Sequence, residues 1–216
     1  MVFVVTLFFA LNFSWTHAAV AWMVTKSQCP AKLVALAKKD VAVLYGSTRA
    51  SPLWVCTKEP LLGLDISHGT TRSALFLPSI IVIGKKGPKR NVMAHEYSHA
   101  ELAARTRARY ALIPTWFDEG LAMQVDFRRA YSQNALKRYL RRKGVEKPRL
   151  DDLKSSGRFY QRGKARLNYA FANCVVKNWL KAQGAKQPLK LINNMDWYKS
   201  FPIEQFRKPE RKCLLR

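Results

Sequence analysis

Acidic residues are scarce. The 216-residue chain holds 14 Asp+Glu against 38 Lys+Arg, a formal net charge of +24. That imbalance excludes an acidic solvating chain and asks for an anionic partner: nucleic acid, an anionic envelope surface or an acidic polymer. Gly and Pro number only ten each, too few for a collagen-like or low-complexity chain. Hydrophobic residues at 48% exclude wholesale disorder. A chain of this size buries roughly 70% of its unfolded surface around one core, so a single domain is expected. Only four cysteines are present, and no two stand at the short spacing of a cysteine zinc site. Beyond residue 25, no apolar run approaches the ~20 residues that cross a bilayer.

Met1 to Thr25 carries no Lys, Arg, Asp or Glu, and its stretch from Val2 to Leu11 is strongly apolar. Small residues follow, and Ala19-Val20-Ala21 reads as an A-x-A cleavage site. This layout implies a secretory signal peptide over 1–21, with 22–216 as the folded domain. The alternatives are an uncleaved anchor and a buried N-terminal helix. No basic residue precedes the apolar run and Lys26 follows it, against the usual charge bias. Export implies an extracytoplasmic location, periplasmic or secreted. In an oxidising compartment the even set Cys29, Cys56, Cys174 and Cys213 reads as disulfides. Of the three possible pairings, Cys29–Cys56 and Cys174–Cys213 each join neighbouring segments and are expected. Small buried thiols are the other reading.

Pro30 to Tyr45 reads as a helix with Pro at its start, apolar Leu33, Val34, Leu36, Ala37, Val41 and Leu44, and Gly46 as a stop. Pro52–Thr57 is a short strand by its β-favouring residues. Ser73–Leu77 and Ser79–Ile83 are extended runs broken at Pro78. The turn from Lys85 to Arg90 launches a helix to about Tyr110. Further helices are expected from Trp116 to about Phe127, from Ser132 to Lys143, from Lys164 to Gln183 and from Pro188 to Asn194. The fold class is α+β: a small N-terminal sheet, then a mostly helical half.

His95-Glu96-Tyr97-Ser98-His99 is an H-E-x-x-H pattern inside the expected Arg90–Tyr110 helix. Spacing of four puts His95 and His99 on one face, where both imidazoles reach one metal ion. Glu96 lies about 100° round the helix, placed to take a proton from a bound water. Only His68 remains outside this motif once the leader is set aside, and its Ser-His-Gly-Thr loop has no ligand context. A catalytic zinc site needs a third protein ligand and an open position for water. Pro114-Thr-Trp-Phe-Asp-Glu-Gly-Leu-Ala122 offers it on a second helix, through Glu119 or its neighbour Asp118. Glu101 and Asp126 are acids near the motif with no role that the sequence assigns.

H-E-x-x-H followed by P-x-W-x-x-E-G-x-A resembles the gluzincin class of metallopeptidases, especially compact peptidase MA-like domains. The resemblance covers about Ile80 to Leu191. It implies a zincin-like fold, a Zn2+ cofactor held by His95, His99 and Glu119, and Glu96 as general base in hydrolysis of a peptide or protein substrate. The gap from His99 to Glu119 is one residue longer than in thermolysin-like gluzincins, which keeps Asp118 in view. Tyr169, opening a Tyr-Ala helix, is implied as a hydrogen-bond donor near the reacting oxygen; core packing is its other reading.

The basic residues cluster at Lys85–Arg90, at Arg105, Arg107 and Arg109, at Arg128-Arg129 and at Lys137–Lys143. The three arginines closing the motif helix suit the helix dipole. On Ser132–Lys143 an apolar stripe of Leu136, Tyr139 and Leu140 leaves Lys137, Arg138, Arg141, Arg142 and Lys143 outward, as a solvated face or as a contact for an anionic surface. No recognised nucleic-acid-binding motif is present, so nucleic acid is not the expected partner, and a monomer is expected. Two alternatives to a secreted peptidase stand beside it: a cytosolic DNA-associated protease and a non-proteolytic zinc-binding or envelope-polymer-binding protein. The residues up to about Gly84 are expected to form a substrate-edge sheet or a cover.

Overall fold

The computed structural model describes residues 29–58, 68–74, 77–184, 187–195 and 200–215. The expected leader over 1–21 lies outside them. Among the described residues the chain is mixed α+β. Helix α1 (Ala31–Tyr45) is followed by strands β1 (Leu53–Cys56), β2 (Gly69–Ala74) and β3 (Leu77–Ile83), and then by the motif helix α2 (Arg90–Thr106). Helices α3 (Thr115–Ala122), α4 (Gln133–Leu140), α5 (Ser156–Phe159), α6 (Ala165–Gln183), α7 (Gln187–Asn193) and α8 (Arg207–Leu214) complete the order. No described helix is long and apolar enough to cross a membrane.

The sheet has the order β1-β3-β2, with β1 parallel and β2 antiparallel to β3. β2 is therefore an edge strand. Two expectations need correction here. The two expected runs are divided elsewhere than at Pro78: Ser73 and Ala74 close β2, while Pro78 lies inside β3, opposite a register irregularity where no ladder partner asks for its missing N–H. Gly69 and Thr70, expected as part of a loop around His68, open strand β2: these small polar residues carry no strand pattern of their own, and pairing with the apolar β3 imposes it.

Helix α2 forms the centre, packed by α1 on one side and by the β2–β3 hairpin and α3 on others. Its middle is polar yet buried, from His95 through Glu101. The apolar core runs from Ile81 and Ile83 through Met93, Tyr97 and Leu102 to Phe117, Phe171 and Trp179. Trp116 and Trp179 are fully buried, the core-like positions expected of them. Both expected disulfides, Cys29–Cys56 and Cys174–Cys213, are formed. The first ties the start of α1 to β1; the second ties α6 to α8.

Helix α2 stops at Thr106, short of the expected Tyr110, and a 3₁₀ segment Arg107–Leu112 follows. The break lies in the backbone: Arg107 sits at φ 51, ψ −128, which no α-helix continues through. Helix α3 is likewise shorter than expected, ending at Ala122. Helix α4 ends at Leu140, short of the expected Lys143; Leu136 is buried, Lys137 half-buried and Arg138 exposed, and Arg141, Arg142 and Lys143 beyond its end are exposed.

Candidate metal centre

One turn of α2 brings His95 and His99 together, and α3 lays Glu119 across them. Their Nε2 atoms are 3.2 Å apart. Glu119 Oε2 lies 3.2 Å from the first and 3.6 Å from the second. All three residues are buried, and their donor atoms fall within 4.8 Å of one another. A tetrahedral ion with bonds of ~2.1 Å separates its ligand atoms by about 3.4 Å, which these three spacings bracket. Glu119 Oε2 is also buried without a hydrogen-bond partner. A buried carboxylate oxygen left bare costs free energy unless a cation meets it, so the donor set fits a metal ion of the zinc type.

The outer nitrogens are held by acids. His99 Nδ1 is 2.7 Å from Asp118 Oδ1, and Tyr110 donates its hydroxyl to Asp118 Oδ2 at 2.5 Å. His95 Nδ1 is 3.3 Å from Asp126 Oδ2. Asp126 in turn accepts from the Arg128 guanidinium at 2.7 Å and from Asn91 at 3.3 Å. Asp118 is thus a buttress behind His99, and the residue on this helix placed to ligate an ion is Glu119. Helical geometry decides between them: adjacent residues point ~100° apart, so only one can face the Nε2 atoms. Tyr160 donates to Glu119 Oε1, which turns Oε2 toward the histidines.

Burial works against protonation of both imidazoles, yet the acids outweigh it. Contacts with Asp126 and Glu119 raise His95 to about 9, and the charges of Asp118 and Glu119 raise His99 to about 10. Burial works against ionisation of Glu119, but the His99 and His95 charges lower it to about 2. Burial similarly opposes Asp126, which its bonds to His95 and Arg128 bring down to about 2. Without an ion, the site therefore holds protons where the metal would sit.

Glu96 borders the same cleft, which has a volume of about 700 Å³ and is lined also by Thr71, Arg72, Tyr160 and Tyr169. The Thr71 hydroxyl is 2.8 Å from Glu96 Oε2. Gly69 lies so close that a Cβ there would stand 2.8 Å from Glu96 Cγ. A side chain at this position would push the carboxylate aside. Tyr169 lines the cleft with its ring centroid 6.1 Å from that of His95. It also packs against Tyr131 and Phe159, at 5.0 and 5.1 Å, as the packing reading expects. Burial raises its hydroxyl above the usual tyrosine range.

All five residues singled out from the sequence, His95, Glu96, His99, Glu119 and Tyr169, line this one cleft. Sequence reasoning missed Thr71, Tyr110 and Tyr160, and gave Asp126 no role. None of these sits at a fixed spacing from the motif; only packing brings them in. Glu101 is structural: its buried carboxylate accepts from the Arg49 and Ala50 amides at 2.8–2.9 Å and from Arg105 at 2.6 Å. His68 stands apart from the metal cluster. In comparisons with protein-family models, curated proteins and solved structures, nothing matches the chain.

Proposed function

We propose that the protein is a zinc-dependent metallopeptidase of gluzincin-like, zincin-like form. The observation that carries this reading is the convergence of His95, His99 and Glu119 Oε2 at spacings suited to one ion, in an open cleft that also holds Glu96. A structural zinc site is closed and usually cysteine-rich, whereas all four cysteines here are in disulfides.

His95, His99 and Glu119 would hold the ion, and when bound it supplies Lewis-acid chemistry and a water acidified toward a pKa of ~7. Asp118 accepts from the Nδ1–H of His99, and Asp126 stands 3.3 Å from His95 Nδ1, so that each Nε2 lone pair faces the centre. Glu96, steadied by Thr71, takes the proton of the attacking water and returns it to the departing amine. Tyr169, on the cleft wall, donates to the oxygen on which negative charge develops. The free edge of β2 accepts the substrate as an added extended strand, with main-chain hydrogen bonds holding its register.

Two disulfides support an extracytoplasmic setting. There the +24 charge favours an anionic envelope surface or polymer as the place where a monomeric enzyme works. The test is metal analysis beside peptide-library cleavage. Wild type and Glu96→Gln are expected to carry one zinc each, with cleavage only in wild type; Glu119→Ala is expected to lose zinc. Full zinc occupancy in Glu119→Ala, or undiminished cleavage by Glu96→Gln, would refute the assignment.

A further inference from the structure

Beside the metal cleft lies a second cavity of about 530 Å³, walled by Ala50, Pro52, Ala103, Ala104 and Ala108. The two spaces share Ser73, Tyr110 and Ala111. The size is that of a ligand pocket, typically ~300–1,000 Å³. Its only charged lining residues are two exposed arginines, Arg49 and Arg107; no acid lines it.

This cavity is built rather than incidental. The Arg49–Ala50 backbone is pinned from both sides: its amides donate to Glu101, and the Tyr97 hydroxyl donates to the Ala50 carbonyl at 2.8 Å. Arg107 is the one non-glycine residue at positive φ among those described. Its φ of 51 with ψ of −128 suits glycine, and an L side chain persists there only where the surroundings impose it. Among the described residues no carboxylate lies within ion-pair distance of Arg49 or Arg107, although nearby Arg105 is paired with Glu101. Two exposed cations thus border an apolar cavity with no carboxylate among the described residues to neutralise them.

Distance along β2 relates the cavity to the reaction centre. Thr71 bonds Glu96, and Ser73, two residues on, borders the cavity. Two residues of strand span ~7 Å. A peptide added to the β2 edge with its reacting carbonyl beside Glu96 therefore brings a side chain about two positions away to the cavity. Resting on the peptidase reading above, we infer that this cavity takes a bulky apolar side chain of the substrate, in a peptide that carries an acidic residue next to it for Arg49 and Arg107.

The test uses labelled alanine-based heptapeptides bearing one Phe and one Glu, each stepped through the sequence and titrated against zinc-loaded Glu96→Gln protein, so that binding is read without turnover. In the best register, Phe→Ala is expected to weaken binding about tenfold or more, from the ring area left unburied. Replacing the Glu by Lys is expected to weaken it several-fold, and Arg107→Gly to abolish that charge preference while melting at higher temperature. Ala108→Trp is expected to fill the cavity and erase the preference for Phe, with zinc content unchanged. Should Ala108→Trp fail to fold, Arg107→Gly carries the test alone, since it relieves the backbone. Equal binding of Phe and Ala peptides, or binding of none, overturns the pocket. Discriminating binding without cleavage of any of these peptides by wild type overturns the peptidase reading and leaves the pocket standing. Cleavage indifferent to Phe and to Glu does the reverse.

Discussion

Glu119 is placed by the residue after it. Gly120 is the point where α3 touches α6: a Cβ at this position would stand 2.5 Å from Val176 Cγ2 and 2.9 Å from the Ala172 carbonyl oxygen. Ordinary contact begins near 3.4 Å, so Gly120→Ala must open these gaps by nearly 1 Å and about 0.5 Å. The carbonyl belongs to a helix backbone and cannot swing away. Val176 is fully buried with a stiff χ1. The strain must then move α3, and Glu119 with it. Overpacking of this kind costs ~1–3 kcal/mol, and the better helix propensity of alanine returns up to ~1 kcal/mol. The net loss is about 1–2 kcal/mol, or a fall in Tm of roughly 2–8 °C for a domain of this size. The larger effect is on the metal, because ligand distances are tolerated only within about ±0.2 Å. Zinc affinity, measured by chelator competition, is expected to fall at least tenfold. Gly157→Ala, where a Cβ meets nothing within 4 Å, is the control. A Gly120→Ala protein that matches wild type in both Tm and zinc affinity refutes the reasoning.

Removing the brace behind His99 by Asp118→Asn is expected to lower zinc affinity 10–100-fold, with little change in the far-ultraviolet circular dichroism of the metal-free protein. His95 and His99 are held above the ordinary value of 6.5, at about 9 and about 10. Raised values stabilise the metal-free fold fully below pH ~6.5, and that contribution is lost as pH rises through 9 to 10. Thermal melts of chelator-treated protein are therefore expected to decline over this range, and zinc binding at pH 7 to release protons, measurable by calorimetry in buffers of differing ionisation enthalpy. The Cys174–Cys213 bridge closes a separation of 39 residues, so its double replacement by serine is expected to cost ~4 kcal/mol on the chain-entropy account. Denaturant titration checks this, and a midpoint equal to wild type would count against that account.

What could be read from the sequence was what is local or covalent. The His95–His99 spacing works through a single helical turn, whereas Glu119 came from the resemblance with Asp118 still open beside it, and only the packing of α3 on α2 separates the two. The cysteine pairing followed from proximity along the chain. The supports were invisible for the opposite reason. Tyr160 reaches Glu119 from 41 residues away, and Thr71 reaches Glu96 from 25, with nothing in their own surroundings to mark them. β2 was hidden because its pairing with β3, rather than its composition, makes it a strand. The early end of α2 was hidden because Arg107 occupies a conformation in which sequence logic expects glycine.

Of the eleven acids among the described residues, five are buried, four of them on or beside the motif helix and the cleft. Glu96, Glu101, Glu119 and Asp126 are buried, and Asp118 is engaged with His99 and Tyr110. The exterior is consequently more cationic than the net charge suggests, with negative charge gathered at the floor of the cleft. Such a field draws in acidic molecules from beyond contact range and speeds their encounter, within a reach of ~8 Å at physiological ionic strength. Added salt shortens that reach, so encounter with acidic molecules is expected to slow as salt rises. Ionic strength thereby sets how often an acidic molecule reaches the cleft.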